Sequence, residues 1–102
     1  MMIYQGDQYA LPVQIVLGEE PLTPQDCDDL KIQLGHLCRT YSMGELRYDQ
    51  DLSCWLFPLT KEQTHSLRVG RQQLQVMVQR GQDQYISKTQ TLFVGASLFE
   101  EA

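Results

Sequence analysis

The sequence predicts an all-β domain, an immunoglobulin-like β-sandwich of seven to eight mostly antiparallel strands. Three observations predict it. Apolar and polar residues alternate over short stretches, as in half-buried strands. Turn residues recur roughly every 6 to 12 positions. No stretch keeps a helical period for three turns. At 102 residues the chain is one domain, read as residues 1–95 with a C-terminal tail over 96–102.

Ile3-Tyr4 forms a short pairing stub, and Gln5-Gly6-Asp7 turns. Tyr9, Leu11, Val13, Ile15 and Leu17 alternate onto one face, predicting a single long strand over 9–17. Pro12 places that strand at a sheet edge or a bulge, because proline cannot donate to the ladder. Gly18-Glu19-Glu20-Pro21 is a second turn. Thr23 followed by Pro24 has the N-cap and first-position proline pattern of a short helical turn. Leu30, Ile32 and Leu34 then point inward, and Gly35 breaks or bulges the strand. Leu37, Arg39 and Tyr41 alternate against His36, Cys38 and Thr40, before a turn at Ser42-Met43-Gly44. A short strand over Leu46-Arg47-Tyr48 and a turn over Asp49-Gln50-Asp51 follow.

The next stretch organises the rest. Trp55, Phe57 and Leu59 fall on one face of an extended strand, which puts the only Trp there. Pro58 marks an edge or the strand's limit. Thr60 caps one helical turn, with Gln63 three residues on as in a capping box. Leu74, Val76 and Val78 alternate in the following strand, Gly81 to Gln84 closes a hairpin, and Tyr85 to Val94 is its β-branched and aromatic partner. The predicted core is Leu11, Val13, Ile15, Leu30, Ile32, Trp55, Phe57, Leu74, Val76 and Val78.

Composition excludes several function classes. A net charge of -5 and a pI near 4.8 argue against nucleic-acid and anionic-membrane surfaces. No apolar run approaches the ~20 residues of a membrane helix. The N-terminus lacks the basic and apolar regions of a signal peptide, so secretory export is not expected. Cys27, Cys38 and Cys54 are an odd set without a C-x-x-C pair and read as free, structural thiols.

The acids Asp26, Asp28 and Asp29 lack the calcium-loop spacing. His36 and Cys38 fall on one predicted strand face, a chance arrangement far more often than a nucleophile beside its base. No catalytic, metal or cofactor residue is assigned, and no cofactor is expected. The 14 glutamines, several in the strand over 72–79, make a polar and weakly charged sheet face, either solvent surface or a covered one. Leu98-Phe99, beyond Gly95, are the candidate partner-binding residues if the tail is an anchor; because a lone exposed apolar residue is normal, a tail left in solvent is the alternative.

The ordered motifs carry a resemblance. Ile3-Tyr4-Gln5-Gly6-Asp7 precedes Leu11-Pro12-Val13, and Leu22-Thr23-Pro24 precedes Leu30-Lys31-Ile32. Trp55-Leu56-Phe57-Pro58-Leu59-Thr60 leads to Thr64, and Leu67 to Val78 and Lys88 to Val94 finish the run. Over roughly residues 3 to 94 the chain resembles the N-terminal immunoglobulin-like domain of phage baseplate upper proteins, and short prophage proteins of Gram-positive bacteria related to it. The resemblance implies a non-enzymatic virion structural module of baseplate, tail or head. Its partners would be copies of itself or other phage structural proteins, and it would be assembled in the bacterial host cytoplasm. The family offers no catalytic residues. Two departures stand out: the chain lacks the long receptor-directed portion, and Gly70-Arg71-Gln72 replaces the usual G-x-Y. The alternative is a free-standing ligand- or carbohydrate-binding sandwich, with Tyr4, Tyr41 and Tyr48 as its aromatic candidates.

Overall fold

Strand-forming alternation dominates the molecule. The computed structural model describes residues 2–98, and just over half of these lie in strands. The strands are β1 (Met2–Tyr4), β2 (Tyr9–Val13), β3 (Val16–Leu17), β4 (Glu20–Pro21), β5 (Asp29–Leu34) and β6 (Leu37–Thr40). They continue as β7 (Arg47–Asp49), β8 (Cys54–Leu59), β9 (Gly70–Arg80), β10 (Asp83–Ile86) and β11 (Gln90–Gly95). One short helix, α1 (Lys61–Ser66), joins β8 to β9. The larger sheet runs β1-β11-β9-β5-β6 with β10 also on β9, and it is curled like half a barrel. The smaller sheet runs β2-β8-β7, and β3 pairs β4 in a hairpin of its own. All pairings are antiparallel except β1 with β11.

The strand count exceeds the seven or eight expected because long apolar stretches are interrupted. The expected strand over 9–17 stops at Val13. Gln14 and Ile15 leave the ladder, and Val16-Leu17 turns back at Gly18 to meet Glu20-Pro21. Leu11, Val13 and Ile15 are buried, but Tyr9 is exposed and Leu17 half-buried, so the alternation reported burial for the middle of the stretch and not for its ends or its continuity.

The expected strand from Tyr85 to Val94 is likewise split, yet both pieces lie along the same side of β9. Ile86 pairs Met77 and Gln90 pairs Leu74, so Ser87, Lys88 and Thr89 face only Gln75 and Val76. This is a β-bulge with one extra residue. Ser87 serves the β9 groups beside it: its N–H donates to Val76 O at 2.9 Å, and its Oγ accepts from Val76 N–H at 3.0 Å.

All ten predicted core residues are buried. Trp55 is fully buried between the edges of Tyr41 and Tyr48, at ring-centroid distances of 5.0 and 5.3 Å. Its Nε1–H donates to Leu22 O at 3.0 Å, which closes the end of the core below the β3–β4 hairpin. Pro58 is tolerated in the middle strand of the smaller sheet because β7 reaches only as far as Leu56, leaving that side of β8 unpaired beyond it. Pro12 lies on β2, an outer strand of that sheet.

Thr60 begins α1 with the expected capping box. Its Oγ1 accepts from Gln63 N–H at 3.2 Å, and Gln63 Oε1 accepts from Thr60 N–H at 3.0 Å. Gly35 breaks the strand and does not bulge it. With φ at +56° it forms, with His36, the two-residue turn between β5 and β6.

Candidate interaction surface

Pairing register fixes which residues share a face, because partners across a ladder point the same way. Ile3, Leu92, Val94, Leu74, Val76, Val78, Leu30, Ile32 and Leu34 form the buried side of the larger sheet. The opposite, outward side begins with Met2 and Tyr4 on β1. It crosses Phe93 and Thr91 on β11 to Arg71, Gln73, Gln75 and Met77 on β9. It then reaches Lys31 and Gln33 on β5, and Cys38 on β6. Its ionic side chains are Lys31 and Arg71, with Asp29 and Asp7 at its rims, so it is sparsely charged on a chain of net charge -5. The glutamine-rich stretch of the sequence is the middle of this face.

One corner of the face is apolar. Met2 lies opposite Phe93, and Tyr4 lies opposite Gly95. Gly95 is the seat of this corner: a Cβ there would meet Tyr4 ring carbons at 2.7 Å and the Met2 methyl at 3.0 Å. Met2, Tyr4 and Phe93 nevertheless remain 52%, 48% and 46% exposed. Val69, also exposed, precedes Gly70 at the same end of the sheet. The Arg71 guanidinium sits over the Phe93 ring, 6.0 Å from its centroid, and rims the corner with positive charge.

The strand edge beside the corner is closed. Gln5 N–H donates to Gly95 O, so the Tyr4 amide, one residue back, faces away from β11. Asp7 occupies it. Its carboxylate accepts the Tyr4 N–H at 2.9 Å, and its own N–H donates to Tyr4 O at 3.0 Å. Pairing of a further strand at Tyr4 must first displace Asp7, so contact with the corner is favoured through side chains on the face. The same turn is anchored to α1. Thr64 Oγ1, fully buried, accepts from Gly6 N–H and donates to Asp7 O, both at 2.9 Å. The Gly6-Asp7 and Thr64 motifs, far apart in sequence, therefore meet.

Of the two sequence-derived partner residues, Leu98 follows β11 and is 98% exposed, while Phe99 lies outside the described residues. The three tyrosines do not come together: Tyr41 and Tyr48 lean on Trp55, and only Tyr4 faces solvent. His36 and Cys38 do not share a strand face, since His36 is in the hairpin turn with its Nε2 3.0 Å from Ser66 Oγ.

Burial pushes the Cys27 and Cys54 thiols up, and neighbouring carboxylates add to the effect, which works against thiolate chemistry at both. Each acid of the 26–29 cluster has a local task. Asp26 Oδ2 accepts from Thr23 N–H at 3.0 Å, Asp28 from Gly81 N–H, and Asp29 Oδ1 from Ser42 N–H at 3.0 Å. Among the described residues no group of three or more His, Cys, Asp or Glu could hold a metal ion.

A cleft of about 400 Å³ opens between the sheets, where Pro12, Val13 and Gln14 face Leu74, Gln90 and Leu92. No family model, curated protein or solved structure matches the chain.

Proposed function

We propose that this chain is a non-enzymatic assembly module with an immunoglobulin-like sandwich fold, acting through protein–protein contacts, and that its setting is a phage or prophage virion. The observation that carries the assembly reading is the corner at Met2, Tyr4 and Phe93, three large apolar side chains side by side on one sheet face and about half exposed. Contiguous exposed apolar surface, as opposed to scattered residues, is what interaction sites present. The surrounding glutamines and sparse charge make the face inexpensive to desolvate compared with a face of ion pairs.

The strand order supports the finer fold reading. With β10 and β11 taken as one bulged strand, β11-β9-β5-β6 follows the G-F-C-C′ order of a variable-type immunoglobulin sheet. The β2-β8-β7 sheet follows the B-E-D order. The virion setting rests on the motif resemblance alone.

The experiment is co-expression of the full chain with the products of adjacent genes, followed by pull-down and light scattering. The expected result is a stable complex with itself or a neighbour, weakened by Phe93→Ser. A full-length chain that stays monomeric and binds no neighbour refutes the reading.

The cleft beside β2 favours a second reading, a ligand-binding sandwich. Its aliphatic and amide lining contains no aromatic ring, so it suits an extended aliphatic or peptide segment better than a sugar.

A further inference from the structure

We propose that the apolar corner at Met2, Tyr4 and Phe93 is the docking site for the Leu98-Phe99-Glu100-Glu101 segment of a second copy of this chain, exchanged reciprocally across a two-fold axis. The inference rests on the assembly reading and names its contact.

Three observations lead to this occupant. The first is chemical match. The segment offers two apolar residues followed by two acids, and the corner offers three apolar side chains rimmed by Arg71. Two apolar side chains match the Phe93 and Tyr4 rings in chemistry, and two carboxylates match the guanidinium.

The second is origin. The segment leaves from Gly95, whose partner across the ladder is Tyr4, so each copy carries donor and acceptor in one corner. Donor and acceptor in one corner are what an isologous, closed contact requires.

The third is direction. Leu98, three residues past Gly95, is 98% exposed, so in its own chain the segment sets out without covering its first apolar residue. The Tyr4 edge is held by Asp7, which a further strand would have to displace, and this favours the face as the place of contact. Two symmetry-related contacts, each covering two apolar side chains and the corner beneath, reach the order of the ~1,000 Å² that a specific interface needs.

The test is sedimentation equilibrium of the full chain from about 10 to 500 µM, a range that brackets a micromolar Kd. The expected result is a monomer–dimer equilibrium whose Kd rises at least about tenfold, a loss of ~1.4 kcal/mol, in Phe93→Ser, in Arg71→Glu and in a chain cut after Gly95. Arg71→Glu combined with Glu100→Arg and Glu101→Arg should restore the dimer. Far-UV circular dichroism of each variant separates loss of contact from loss of fold.

A dimer unchanged by the cut overturns the segment's role while leaving self-association standing. A monomeric full chain whose unfolding midpoint falls on cutting places the segment on its own corner and overturns the exchange. A monomeric chain indifferent to the cut, but complexed with a neighbouring gene product, overturns the exchange and keeps the assembly reading.

Discussion

Trp55→Ala tests the placement on which the two-sheet architecture depends. The indole is fully buried, touches Tyr41 and Tyr48 edge-on, and donates its N–H to Leu22 O at 3.0 Å. Removing it deletes a large buried ring and leaves a cavity, worth about 3–5 kcal/mol. It also leaves the Leu22 carbonyl without its donor, a penalty of about 1–3 kcal/mol if no water enters. Total stability for such a domain is about 5–15 kcal/mol, so the alanine variant is expected at the margin of folding. Trp55→Phe keeps one ring and loses the N–H, and should cost about 2–4 kcal/mol. The assay is urea unfolding followed by far-UV circular dichroism, since the substitution removes the only Trp and its fluorescence. The expected result is a lower midpoint at unchanged slope. A loss under about 1 kcal/mol for the alanine variant, or equal losses for Phe and Ala, would refute the reasoning.

Thr64→Val keeps the side-chain shape but leaves Gly6 N–H unpaired, and should cost about 1–3 kcal/mol in urea unfolding, with Thr64→Ser recovering most of the loss. Burial pushes the Asp29 carboxyl up, but hydrogen bonds from Leu30 and Ser42 outweigh it and hold the group below the ordinary 3.8. A carboxyl lowered in the folded state stabilises above its unfolded pKa and stops doing so as pH falls through the folded one. Asp29→Asn should therefore lower the midpoint of thermal unfolding at pH 7 and change it little at about pH 2. Cys38 is exposed, Cys27 half-buried and Cys54 buried, so a disulfide exchange reagent should label Cys38 first in the native protein and Cys54 only on unfolding, read by peptide mass spectrometry.

The core was legible because burial leaves a period-two imprint. Leu30, Ile32, Leu34 and Leu74, Val76, Val78 alternate cleanly, and each set lines the buried face. The cap at Thr60 was legible because Thr60 and Gln63 satisfy orphan amides within three residues, and the short turn after Thr23 because Pro24 follows it; the Asp26 partner of Thr23 was not read. Features made by distant partners were not. Nothing local in Met2-Ile3-Tyr4 encodes parallel pairing with Phe93, Val94 and Gly95. The bulge was hidden because Ser87 reads as an ordinary strand residue until Val76 stands beside it. The apolar corner was hidden for the same reason. Phe93 and Tyr4 each look like unremarkable alternating positions, and only the register of β1 on β11 makes them neighbours.

The Gln5-Gly6-Asp7 turn links the core to the exposed corner. Gln5 N–H holds Gly95 in register, and Gln5 Nε2 donates to Leu67 O at 3.0 Å, at the start of the approach to β9. Gly6 and Asp7 tie to Thr64 inside the molecule, while the Asp7 carboxylate closes the Tyr4 edge outside it. Three other outer strands carry a guard: β2 has Pro12, β7 has Arg47 and Asp49, and β6 has Arg39, whose guanidinium lies 5.2 Å from the Phe57 ring centroid; the free edge of β10 has no proline, Lys or Arg. A two-sheet fold guarded at these strands gains little from strand addition there. What it leaves open is a glutamine-rich face with an aromatic corner, held in place by the register that the turn enforces. The proposed contact through that face would need no strand to be unpaired and no amide to be stripped of its partner.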